Sequence, residues 1–203
     1  MGSFREESLG RFLELVASDL PAPGGGSVAA GSVAATTVAL AAALVAMVGR
    51  LSGKQLDDAP AIVASAERLL VQALVLADED AAAYGEVRAA YALPKEGDPE
   101  GRRRQIRQAF EGATEVPLEI TRLASESAVL AARLLQDGNR NVEGDSKTAV
   151  LLARAAAQAS ATLVELNVTT GELEGDWLER SAAYLATAGV AVPGPGPGTA
   201  PGR

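Results

Sequence analysis

Ile62, Ala66, Leu69, Ala73, Leu76, Asp80, Tyr84, Val87 and Tyr91 follow one another at three- and four-residue steps, the spacing of one face of an α-helix. Every member of that stripe except Asp80 is apolar or aromatic. Arg68, Gln72, Glu79 and Glu86 form a separate polar line, which is where an ordinary solvated acid belongs. A carboxylate on the apolar face loses hydration, which disfavours its charged form and lifts its pKa toward the range a general acid or base needs near neutral pH. The same placement also suits a helix–helix hydrogen bond, and at this point both readings stand. The 203 residues include no histidine and no cysteine. Proton transfer therefore falls to Asp, Glu, Lys, Tyr or water, and a Cys/His zinc site, a disulfide framework or a histidine triad cannot be built.

Three further groups have residue types suited to binding. Pro23-Gly24-Gly25-Gly26-Ser27 puts three residues without Cβ ahead of an expected helix. Free backbone N–H groups and the helix dipole there favour an anion or a carbonyl oxygen. The segment lacks the Gly-Lys-Ser/Thr of a P-loop and the preceding strand of a dinucleotide fingerprint, and it equally suits a tight turn between packed helices. Lys95 lies in a Pro/Gly loop close to Arg102, Arg103, Arg104 and Arg107, a local positive charge that suits either a polyanionic small molecule or a solvated helix start. Gly138-Asn139 through Asp145 reads as a polar loop with a helix C-cap and N-cap.

The elements that must position these groups are all helical. Helices are expected over about 6–18, 27–51, 60–92, 100–136 with an interruption near Pro117, 145–170 (capped by Asp145 or Ser146) and 175–187. Pro60 serves as a first-turn residue, and no strand-like alternation stands out. The 27–51 helix lies in a stretch with no charge between Asp19 and Arg50, long enough to span a bilayer. Its content is chiefly Ala, Gly, Ser and Thr, which favours close helix packing and burial on all sides, partly by a second subunit. Residues 1–190 are expected to form one all-α domain, and the Pro/Gly-rich 191–203 tail to be disordered. The net charge of −8 argues against nucleic-acid or anionic-membrane binding, both of which need a basic face. The start MGSFREESLG has no apolar signal core, so a cytoplasmic location is expected.

Taken in order, these segments resemble the cyclodeaminase/cyclohydrolase family of folate enzymes, which includes the C-terminal half of formiminotransferase-cyclodeaminase and stand-alone bacterial proteins. The resemblance runs from Leu9 to about Trp177. It rests on Phe12-Leu13, Ala22 to Ser27, Met47-Val48-Gly49, Asp78 to Tyr84, Leu93-Pro94-Lys95, Val116-Pro117-Leu118, Gly138-Asn139, Asp145 and Asn167. It implies an all-helical homodimer that binds a tetrahydrofolate derivative, with no cofactor beyond that substrate and no metal. The second aspartate of the family's Asp-x-Asp segment, proposed to transfer the proton, falls on Asp80. Pro23 to Ser27, Tyr84, Lys95, Asn139, Asp145 and Asn167 become expected substrate-binding residues, with Lys95 and the arginines meeting the glutamate tail.

The resemblance implies cyclisation of 5-formiminotetrahydrofolate to 5,10-methenyltetrahydrofolate with release of ammonia. The alternatives are hydrolysis of the methenyl compound to 10-formyltetrahydrofolate, or a non-catalytic helical folate-binding or interaction dimer. The chain departs from the family pattern at Leu163, where asparagine is usual, at Gly144, where serine is common, and at Tyr84, where phenylalanine is.

Overall fold

A computed structural model of the chain describes residues 3–18 and 30–190. Among them the regular elements are a 3-10 turn Phe4–Glu6, helices α1 (Leu9–Ala17), α2 (Ala30–Leu51), α3 (Ala59–Ala92) and α4 (Pro99–Asp137), a 3-10 turn Arg140–Val142, and helices α5 (Glu143–Gly171) and α6 (Trp177–Val190). The all-α expectation holds, and no described residue is in a strand.

α2, uncharged up to Arg50, lies against α3, α4 and α5. Small side chains permit this. Ala34, Ala35, Ala41 and Ala42 of α2 meet Ala73 and Ala77 of α3, Ala124 and Ala128 of α4, and Ala153 and Ala157 of α5 in one buried cluster. A second cluster continues the core past Val45, Val48, Ile62, Leu134 and Val150. Fully buried large side chains such as Ile120, Leu123 and Leu134 contribute about 1.5–3 kcal/mol each against exposure. α2 and α3 run antiparallel: a Cβ on Gly31 would meet Asp80, and one on Gly49 would meet Val63. Burial of α2 is not complete, however. Val33, Leu40, Met47 and Leu51 form an exposed line along it.

Several boundaries differ from the sequence reading. The first helix begins at Leu9, because the Ser8 hydroxyl accepts the Arg11 N–H and so fixes the N-cap there. Neither Asp145 nor Ser146 caps α5. Chain direction is already set at Asn139, whose side-chain oxygen accepts the Asn141 N–H, and the turn at Arg140–Val142 runs straight into Glu143. Asp145 thus sits inside the first turn of α5. The 27–29 start of the second helix and the 191–203 tail lie outside the described residues.

The expected interruption at Pro117 is also absent, and α4 is continuous for 39 residues. A mid-helix proline removes the hydrogen bond to the carbonyl four residues earlier, here that of Ala113. Asn167 of α5 supplies the missing donor, its side-chain amide reaching Ala113 O at 2.7 Å. By length and composition, α2, α3 and the Arg140–Gly171 stretch are each apolar enough to cross a membrane. In the bundle, the most apolar window of α2 is 61% buried against the other helices.

Candidate active site

Asp80 points from α3 toward the amino end of α2 and is 9% exposed. The carboxylate occupies the space a side chain at position 31 would need: an added Cβ on Gly31 would lie 1.9 Å from Asp80 Oδ1. The backbone N–H of Ser32 donates to Asp80 Oδ2 at 3.0 Å. The Ser32 hydroxyl donates to Ala77 O at 2.6 Å and lies 3.3 Å from the same carboxylate oxygen. Burial pushes the Asp80 carboxyl above its ordinary value, and the two Ser32 contacts oppose that without cancelling it. Ser32 can serve both protonation states: its N–H favours the carboxylate, and its hydroxyl oxygen can accept from the acid.

The two aspartates of the Asp-x-Asp segment divide cleanly. Asp78 accepts the Phe4 N–H at 2.8 Å and the Ser3 hydroxyl, tying the N-terminal turn to α3. Asp80 instead faces a cavity of about 410 Å³, within the usual range for small-molecule sites. Tyr84, Val87, Arg88 and Tyr91 continue its α3 wall, α4 adds Phe110, Ala113 and Pro117, and α5 adds Leu163, Leu166 and Asn167. Tyr91 and Phe110 meet edge to face at 6.1 Å between ring centres. A broader groove of about 550 Å³ adjoins the cavity at Ala83 and Ala113, but Glu86, its acidic member, is exposed. The buried acid makes the narrower cavity the candidate site.

Of the residues expected from sequence, the cavity brings together Asp80, Tyr84 and Asn167. Lys95 follows the end of α3 and is not among its lining residues. Arg102 is committed to the α3 terminus, donating to Leu93 O and Tyr91 O. Asn139 and Asp145 lie at the other end of the bundle. The Asn139 amide donates to Leu51 O, and its backbone N–H donates to Ser52 Oγ. Gly31 and Leu51 are twenty helical residues apart, on the order of 30 Å, so one chain does not carry Asn139 to Asp80. Pro23 to Ser27 lie outside the described residues.

Sequence reading missed Gly31, Ser32 and Arg88. Arg88 was accessible from spacing, since it lies four residues past Tyr84. Gly31 and Ser32 give no such signal within an Ala/Gly/Ser helix.

The sequence profile described as formiminotransferase-cyclodeaminase matches residues 8–174. The chain belongs to the formiminotransferase-cyclodeaminase family. It is 36% identical over 169 residues to the methenyltetrahydrofolate cyclohydrolase of Methylorubrum extorquens, covering 79% of each chain. The crystal structure of formiminotetrahydrofolate cyclodeaminase from Thermotoga maritima is similar in fold, with a TM-score of 0.78, 27% identity and 92% of each chain covered. Within the family, the Asp-x-Asp segment of this chain thus has one structural and one cavity-facing aspartate. Leu163, at the position where asparagine was expected, makes part of the cavity wall apolar.

Proposed function

We propose that the chain is a folate one-carbon enzyme that hydrolyses 5,10-methenyltetrahydrofolate to 10-formyltetrahydrofolate, with Asp80 moving the proton. The observation that carries this reading is a single buried carboxylate in a mostly apolar and aromatic cavity. The methenyl bridge shares a positive charge between N5 and N10, and a carboxylate in apolar surroundings attracts such a cation strongly. The cyclohydrolase named above, 36% identical and covering 79% of each chain, supports the same choice.

In this mechanism water attacks the bridge carbon while Asp80 takes one of its protons. The C–N5 bond then breaks, Asp80 returns that proton to N5, and the remaining hydroxyl proton leaves to solvent as the formyl carbonyl forms. Binding the cation beside Asp80 favours the ionised carboxyl and so prepares the base. The aromatic side chains of Tyr84, Tyr91 and Phe110 suit the pterin and benzoyl rings. Lys95, Arg103, Arg104 and Arg107, at the α3–α4 turn, suit the outer carboxylates of a polyglutamate tail.

The cyclodeaminase reaction, placed first by the sequence reading, is the second candidate, and the Thermotoga maritima likeness favours it. There N10 attacks the carbon of the formimino group, protonated from solvent, Asp80 accepts the N10 proton and passes it to the departing nitrogen, and ammonia leaves as the methenyl cation forms. One pair of assays decides between the two reactions. Accelerated decay of methenyl absorbance supports the hydrolysis. Growth of methenyl absorbance from 5-formiminotetrahydrofolate, with ammonia release, supports the cyclodeaminase. If neither folate is turned over and neither raises the melting temperature, both readings fail.

We also propose a homodimer. Val33, Thr37, Leu40, Leu44, Met47 and Leu51 follow a strict three-four spacing on α2, the pattern of a helix–helix seam, in a stretch without a charged residue until Arg50. Leu40 is 55% exposed. Light scattering is expected to give about twice the 20.6 kDa chain mass, and Leu40→Glu to shift the population toward monomer. A wild-type protein that is monomeric at micromolar concentration rules the seam out.

A further inference from the structure

The cavity lining contains one acid, Asp80, and one base, Arg88, both on α3. They are eight residues apart, a separation of about 12 Å along the helix axis. Asp80 is buried, whereas Arg88 is exposed. Among the described residues Arg88 has neither an acid at ion-pair distance nor a hydrogen-bond acceptor. Two other arginines of the α3–α4 region are engaged. Arg68 donates to Ala64 O and Ser65 Oγ, and Arg102 donates to Leu93 O and Tyr91 O. A guanidinium without a protein partner, over a cavity lined by Tyr84, Tyr91 and Phe110, is free to take a carboxylate in a two-pronged contact.

We propose that Arg88 is a specificity-determining residue that holds the α-carboxylate of the first glutamate of the substrate. This assignment rests on the folate reading above. From N10 through the benzoyl ring and amide to that carboxylate is on the order of 9–10 Å by ordinary bond lengths, a span the Asp80–Arg88 separation and the reach of an arginine side chain accommodate. Further glutamates attach through the γ-carboxyl, so the first α-carboxylate stays free whatever the tail length. The cavity thereby reads a dipole, with the cationic one-carbon centre against Asp80 and the anionic tail against Arg88. Lys95 and the remaining arginines are left to later glutamates.

The test compares wild type, Arg88→Leu and Arg88→Lys on 5,10-methenyltetrahydrofolate and on 5,10-methenyltetrahydropteroate, which lacks the glutamate. Arg88→Leu is expected to raise KM for the folate about tenfold, the size of a lost charge-assisted contact, with kcat little changed. Arg88→Lys, keeping the charge but not the fork, should recover part of that loss. On the pteroate the gap between wild type and Arg88→Leu should close. Melting temperatures of the three proteins should agree, because Arg88 is exposed and makes no hydrogen bond or ion pair with the described residues. If wild type turns over the folate but Arg88→Leu matches it, or if the variant is impaired equally on both substrates, the Arg88 assignment is wrong and the folate reading survives. If wild type neither binds nor turns over either compound, the folate reading falls and this assignment falls with it.

Discussion

Asp80→Asn is expected to lower turnover by about a hundred- to ten-thousand-fold, the usual contribution of a positioned acid–base group, while leaving the helical content unchanged. Asparagine keeps the shape of the side chain and can still accept the Ser32 N–H, so lost activity would report lost proton transfer and not lost packing. In wild type the acidic limb of kcat/KM should lie above the ordinary aspartate range, because burial lifts the Asp80 carboxyl, and activity should rise with pH as it ionises. The same shift has a stability signature. The unfolded aspartate titrates near about 3.9, and the folded value is higher. Asp80 therefore contributes most to stability in acid, below the unfolded value, and that contribution is lost as pH rises through the folded one. Melting curves of wild type and Asp80→Asn across this window should diverge with rising pH, the variant becoming the relatively more stable protein toward neutrality. Turnover within threefold of wild type would remove Asp80 from the chemistry. A pH-independent difference in melting temperature would show instead that its pKa is the same folded and unfolded.

How much of this site is legible without coordinates follows from the range over which each signal acts. Asp80 stands out because the helical period holds without a break from Ile62 to Tyr91, so its phase is overdetermined. Arg88 is carried by the same period and was passed over only because it sits beside the stripe, not within it. Pro117 misleads because the rule against mid-helix proline is local, whereas the repair, the Asn167 amide on Ala113 O, comes from another helix 54 residues later in sequence. Asn139 and Asp145 carry the opposite lesson. Their order in the chain follows a family pattern, but order does not say which end of an antiparallel bundle a loop occupies, and the Leu51 carbonyl holds Asn139 far from Asp80. The exposed line on α2 is a matter of degree. A charge-free stretch announces burial, but it does not say how much of each face its own chain covers.

The same limit applies most sharply to Gly31, which in sequence is one small residue among many. In the folded chain its missing side chain makes the carboxylate site possible. A methyl group there would sit 1.9 Å from Asp80 Oδ1, 2.4 Å from its Cγ and 2.8 Å from Oδ2, so the alanine methyl and the carboxylate cannot both keep their places. Asp80 is short, with two side-chain torsions, and can yield only by leaving Ser32 or by pushing α2 from α3. Gly31→Ala is therefore expected to cut kcat/KM by about a hundredfold or more through misplacement of the acid–base group. Overpacking should also cost about 1–3 kcal/mol. On helix propensity alone the substitution should stabilise, by about 0.5–1 kcal/mol. The two effects separate in a cycle with Asp80→Ala, which removes the carboxylate and leaves room for the methyl. In that background Gly31→Ala should be neutral or stabilising by thermal melting, giving a coupling well above the few tenths of a kcal/mol seen between independent sites. An equal loss of stability in both backgrounds would mean that position 31 is crowded by something other than Asp80. Wild-type activity in the single variant would mean that the carboxylate does not have to stand where Ser32 holds it.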